Sequence, residues 1–155
     1  MSDTGRMVAT EKTGVGSHFI ANYPPFSLWT HEAVDTDAKP ALAHRPADVP
    51  LGLYLHIPFC RKRCHFCYYR VYTDRNASEV AEYLDLLGRE WELYATQPAV
   101  AGRPLRFVYF GGGTPSFLSV RQLQGLIDRL SRVTTWTDAE EITFECEPGT
   151  LTEPK

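Results

Sequence analysis

The chain has 155 residues, enough for one domain with its own core. Apolar residues make up 43% and charged residues 23%, which favours a globular fold over disorder. The net charge of −3 argues against a general nucleic-acid binder or a polybasic membrane-surface protein, and no apolar run approaches the roughly 20 residues that span a bilayer.

Residues 1–50 carry Gly5, Gly14, Gly16, Pro24, Pro25, Pro40, Pro46 and Pro50 and show no sustained hydrophobic period. They read as an irregular N-terminal arm. Within it, Tyr23-Pro24-Pro25-Phe26-Ser27-Leu28-Trp29 is apolar enough to pack on the body of the protein; a loosely ordered extension is the alternative. Met1 to Gly14 is polar and has no apolar stretch of the secretory kind, so the expected compartment is the cytoplasm, where thiols stay reduced.

From Leu51 the pattern changes. Leu51–Ile57 reads as a strand ended by Pro58, with Leu53, Leu55 and Ile57 on one face and Tyr54 and His56 on the other. A cysteine loop follows. The spacing of Val80, Leu84, Leu87 and Trp91 predicts a helix near Ala77–Ala95, with Asn76 and Glu79 as its N-terminal cap. Leu105–Phe110, bounded by glycines, suits a buried parallel strand. Gly111-Gly112-Gly113-Thr114-Pro115 then forms a turn. Ser119 and Gln122 pair as a capping box for a second helix carrying Leu123, Leu126, Ile127 and Leu130 on one face. Glu141–Glu147 is expected as a third strand: Ile142, Phe144 and Cys146 point one way, Thr143, Glu145 and Glu147 the other. Cys146 is expected as a buried thiol. Thr152-Glu153-Pro154 resembles the start of a further helix. Strand, helix, strand, helix, strand predicts an α/β fold with a parallel sheet and right-handed crossovers. Such a sheet needs more neighbours to cover its edges, so the chain reads as part of a longer α/β protein.

Three of the four cysteines, Cys60, Cys64 and Cys67, stand in a C-x3-C-x2-C run at the carboxyl end of the first strand. In a reduced compartment such clustered thiols point to metal rather than disulfides. Three thiolates on a short loop suit three irons of a cubane cluster, leaving the fourth iron to a ligand that is not protein. A zinc site completed by His65 or His56 is the rival reading. Gly111–Pro115 fits neither the phosphate-binding loop nor the dinucleotide fingerprint; it is a tight turn or a place where a ligand meets backbone. Glu145, near the carboxyl end of the third strand, is either a solvated carboxylate or an acceptor for ribose hydroxyls. Arg61-Lys62-Arg63 and Arg70 flank the cysteine loop, as a solvated charged loop or as a landing place for an acidic electron donor or for substrate carboxylates.

Tyr54-Leu55-His56-Ile57-Pro58-Phe59-Cys60, with Cys64, Phe66 and Cys67 beyond it, closely resembles the radical S-adenosylmethionine superfamily. His56–Cys60 and Gly111–Ser116 resemble its oxygen-independent coproporphyrinogen III oxidase branch, which also holds haem chaperones, haem-degrading enzymes and methyl-transferring or cyclopropane-forming enzymes. The resemblance covers about residues 50–155 and implies the N-terminal part of a TIM-like (β/α) barrel in residues 51–155, interrupted after about three strands. It also implies a [4Fe–4S] cluster on Cys60, Cys64 and Cys67, with S-adenosylmethionine chelating the open iron. Tyr54 would then pack at the cluster and the sulfonium end, as the catalytic residue, and Phe66 would approach the adenine. Gly112, Gly113 and Thr114 would meet the methionyl part, and Glu145 would bind the ribose. The implied reaction is reductive cleavage of the cofactor to a 5′-deoxyadenosyl radical that abstracts hydrogen from a small-molecule substrate. In the oxidase this leads from a porphyrinogen propionate to vinyl. The implied partner is a reducing protein such as flavodoxin or ferredoxin, with no nucleic acid and no membrane span. After the third cysteine the oxidases usually continue Gly-Cys-Asn and the chaperones Asp-Phe, whereas this chain has Tyr68-Tyr69-Arg70.

Overall fold

The alternation along Leu51–Ile57 buries Leu53, Leu55 and Ile57 and leaves Tyr54 exposed, the pattern of a strand covered on one face. A computed structural model of the protein describes residues 30–67, 69–153 and 155. The chain divides into two units, residues 1–39 and 40–155.

In the first unit, α1 (His31–Ala33) leads into a π-helical turn (Val34–Ala38). Thr30 caps it by accepting from the Ala33 N–H at 3.1 Å, and Lys39 pairs with Asp35 at 2.5 Å. α2 (Lys39–Ala43) begins at the last residue of this unit, its other four residues belonging to the second. The stretch read from sequence as irregular is therefore helical from His31 to Ala43: a cap and an i,i+4 ion pair supply local support that hydrophobic periodicity does not register. The apolar stretch Tyr23–Trp29 lies outside the described residues.

The second unit holds a parallel sheet in the order β1 (Leu51–Ile57), β2 (Leu105–Gly112), β3 (Glu141–Phe144). The crossovers carry α3 (Ala77–Ala95) and α4 (Val120–Ser131). Both helices start at complete capping boxes, Asn76 with Glu79 and Ser119 with Gln122. Val80, Leu84 and Trp91 of α3 and Leu126 and Leu130 of α4 cover Leu53, Leu55, Ile57, Val108 and Phe110 of the sheet. Each such fully buried aliphatic side chain is worth about 1.5–3 kcal/mol. The opposite face of the sheet carries Tyr54, His56, Phe107 and Tyr109 and has no helix on it among the described residues.

Two expectations need correction. The third strand stops at Phe144, not Glu147, and Cys146 is exposed rather than buried. The cause is local competition: Glu145 N–H still reaches the Phe110 carbonyl at 3.0 Å, but Glu147 N–H is taken by the Ser116 hydroxyl at 3.0 Å, which draws the chain off the ladder. The expected helix start at Thr152-Glu153-Pro154 coincides with a turn at Glu153. Here Lys155 N–H bonds the Thr152 carbonyl at 2.9 Å, and the Lys155 ammonium binds the carbonyls of Ser116 and Thr150. Pro154 is outside the described residues.

Candidate active site

Strands of a parallel sheet end together, so loops that leave their carboxyl ends meet. Here the meeting is built from backbone hydrogen bonds. Gly113 N–H donates to the Ile57 carbonyl and Thr114 N–H to the Phe59 carbonyl, both at 2.8 Å, joining the glycine turn after β2 to the chain leaving β1. Cys60 N–H donates to the Tyr72 carbonyl at 3.0 Å, and Tyr72 N–H to the Pro58 carbonyl at 2.8 Å. The cysteine loop therefore leaves and returns at one closed neck.

Two glycines permit this approach. Gly112 has φ +114°, and a Cβ there would stand 2.8 Å from the His56 ring. A Cβ on Gly113 would stand 2.9 Å from the Cys60 sulfur and 2.9 Å from the Phe59 carbonyl oxygen. A side chain fits at neither position.

The three expected thiols differ in setting. Cys60 is buried, Cys67 half-buried and Cys64 exposed. Thr114 Oγ1 donates to Cys60 Sγ at 3.3 Å. Burial pushes the Cys60 thiol up, the Thr114 hydrogen bond opposes this, and the neighbouring thiols of Cys67 and Cys64 push it up further. Cys67 Sγ points its own proton at the Tyr69 carbonyl at 3.7 Å, and Arg63 Nη2 holds the Cys67 carbonyl at 3.0 Å. Among the described residues no three His, Cys, Asp or Glu side chains stand gathered in a metal-holding arrangement. The chemistry of the donor set, three thiols on one loop, fits three irons of a cubane cluster.

The carboxylate lies on the other side of the glycine turn. Glu145 Oε1 accepts from the Tyr109 hydroxyl at 2.7 Å, and Oε2 from the Gly112 N–H at 3.1 Å. Tyr54 stacks on Tyr109, with centroids 5.6 Å apart and planes 20° apart, and its hydroxyl lies 3.4 Å from His56 Nδ1. Burial and then the Glu145 carboxylate push the Tyr54 phenol up, so it stays a neutral donor. Burial pushes His56 down, with Glu145 partly opposing. Beneath them, Tyr83 donates to the His56 carbonyl at 2.7 Å, and burial pushes its phenol to about 12.

Tyr54, Gly112 and Glu145 thus share one cluster, and Cys60, Gly113 and Thr114 a second, adjoining through the Gly112–Gly113 peptide. Phe66 stands apart, 79% exposed on the cysteine loop. Sequence reasoning passed over Tyr109, although the spacing of Phe107 and Tyr109 about the buried Val108 marks it as facing the same side as Tyr54.

No family model matches the chain. The oxygen-independent coproporphyrinogen III oxidase of Escherichia coli is 37% identical over 127 residues, spanning 82% of this chain and 27% of that protein. The protein of the same name from Mannheimia haemolytica is 34% identical over 127 residues, spanning 82% of this chain and 85% of its own length. The chain belongs to the oxygen-independent coproporphyrinogen III oxidase family. The solved structure of E. coli coproporphyrinogen III oxidase (HemN), a radical SAM enzyme, matches 88% of the chain at 32% identity with a TM-score of 0.73. The chain corresponds to 31% of that structure, so its three-stranded sheet is part of the radical SAM fold. A heme chaperone HemW from Buchnera aphidicola also matches, 30% identical over 102 residues, which are 66% of this chain and 27% of that protein. This family member thus spans about a quarter of the length of most of the relatives quoted. No helix among its described residues is long and apolar enough to cross a membrane.

Proposed function

We propose that the whole protein is a radical S-adenosylmethionine oxidoreductase that converts two propionate side chains of coproporphyrinogen III, or of a related porphyrinogen, to vinyl groups. The observation that carries this reading is the junction of the two loops: the Cys60 sulfur against Gly113 and Thr114, with Glu145 on the adjoining Gly112. Cys60, Cys64 and Cys67 would hold three irons of the cluster. A bound [4Fe–4S] cluster with S-adenosylmethionine supplies a 5′-deoxyadenosyl radical for hydrogen abstraction.

The chain's own residues bind and orient. Glu145 accepts two hydrogen bonds within the protein, and a carboxylate has about four acceptor sites, so it retains capacity for two ribose hydroxyls. Gly112 and Gly113 present bare backbone to the methionyl part, beside Thr114. Tyr54 offers a neutral phenol at the sulfonium end, steadied by its stack on Tyr109. Phe66 covers the adenine from the cysteine loop. The basic run Arg61-Lys62-Arg63 receives an acidic one-electron carrier of the flavodoxin or ferredoxin kind.

The test is anaerobic reconstitution of the full-length protein. We expect about four irons and four sulfides per chain, 5′-deoxyadenosine after dithionite reduction, and a doubly decarboxylated product from coproporphyrinogen III by mass spectrometry. Cys64→Ala should abolish the cofactor cleavage. Zinc in place of iron, without cleavage, would overturn the reading. A second reading is favoured by the match to HemW: a heme chaperone. Heme binding with no deoxyadenosine formed would select it.

A further inference from the structure

We infer that Thr114 is a positioning residue for the cluster, its hydroxyl setting the reduction potential through a hydrogen bond to the Cys60 sulfur. The inference rests on the reading of Cys60 as a cluster ligand and adds a role for Thr114 distinct from contact with S-adenosylmethionine.

Three observations support it. The first is the bond itself: Oγ1 to Sγ is 3.3 Å, between residues that are 9% and 8% exposed. A hydroxyl buried to that degree must spend its proton on some partner, and its partner is sulfur. The second is rigidity. The Thr114 N–H is held by the Phe59 carbonyl at 2.8 Å, and the Thr114 carbonyl receives the Phe117 N–H at 2.8 Å. A β-branched side chain on a pinned backbone has little rotamer freedom. The space for this contact exists because residue 113 has no Cβ, which would lie 2.9 Å from the same sulfur. The third is asymmetry. Among the described residues, Cys60 is the one thiol of the three that receives a side-chain hydroxyl; Cys67 donates to a carbonyl and Cys64 is exposed.

A donor to a ligand sulfur withdraws electron density from the cluster. The reduced state carries one more negative charge and gains more from the donor, so the potential rises. Reduction by a one-electron donor is then easier than it would be with an aliphatic side chain at 114.

The experiment is a redox titration of the reconstituted holoprotein, followed by electron paramagnetic resonance of the reduced cluster. It compares wild type, Thr114→Val and Thr114→Ser. We expect a more negative midpoint in Thr114→Val, which keeps shape but loses the hydroxyl, and a midpoint near wild type in Thr114→Ser. Where Thr114→Val does not retain cluster, Thr114→Ala removes the hydroxyl without the added bulk and should show the same negative shift. A wild-type midpoint in the hydroxyl-free variant overturns the inference and leaves the cluster reading standing. Loss of cluster from both hydroxyl-free variants with folding intact also overturns it, since Thr114 would then retain the cluster rather than tune it. No iron–sulfur signal from wild type overturns both together.

Discussion

His56 sits on the open face of the sheet between two neighbours of opposite effect, the burial that favours its neutral form and the Glu145 carboxylate that favours its charged form. Burial wins, so the folded-state value lies below the ordinary 6.5. The unfolded chain then binds the proton more tightly than the folded one. The contribution to stability is complete above pH 6.5 and is lost as pH falls through the lower folded value. Urea midpoints measured at pH 7.5 and 5.5 should fall further in wild type than in His56→Gln; equal falls would remove His56 from the acid response. At this scale the cysteines were legible because their spacing is a local property of a loop. Tyr109 was not singled out, because its value comes from lying across the ladder from Tyr54 and within 2.7 Å of a carboxylate on the next strand.

The two helices show how an element can depend on one missing side chain. Arg129 of α4 bonds Glu92 at 2.6 and 2.8 Å and Asp85 at 2.7 Å, both on α3, and Glu92 first and then Asp85 hold its guanidinium charged. It reaches them over Gly88, where a Cβ would lie 2.5 Å from Arg129 Cδ and 2.7 Å from Nε. A mid-helix glycine ordinarily costs about 0.5–1 kcal/mol relative to alanine. We therefore expect Gly88→Ala to destabilise the wild type by displacing Arg129. In an Arg129→Ala background the same change should stabilise by about 0.5–1 kcal/mol. A double-mutant cycle in urea checks the reversal of sign; equal effects in both backgrounds would show that Arg129 does not depend on the gap. The bounds of α3 and of β1 coincide with those read from the sequence, since capping boxes and strand alternation are local. The end of β3 does not, because it is decided by a hydroxyl from the loop after β2.

At the scale of the whole molecule, the parallel sheet has helices on one face and, among the described residues, none on the other, where Tyr54 is 54% exposed; Ile142 on the edge strand is 57% exposed. Parallel sheets are ordinarily covered on both faces, and an open edge is a template for pairing. We expect residues 1–155 in isolation to self-associate, seen as a sedimentation coefficient that rises with concentration. A single monomeric boundary across the range would show that the open face and edge are protected. The same openness explains the exposure of Tyr54, which the family resemblance assigns to the cofactor.

From Leu51 onward, the sequence by itself determined the order of elements, their starts and the parallel sense of the sheet, and it determined the family, because caps, periodicity and the cysteine and glycine runs act over a few residues. It also determined which strand face is apolar. Only the tertiary structure decided that Thr114 turns its hydroxyl to the Cys60 sulfur and that Glu145 is shared by Tyr109 and Gly112. The exposure of Cys146 was decided there as well. Each of these rests on which strand lies beside which and on what competes for a given donor, and those distances exist only once the chain has folded.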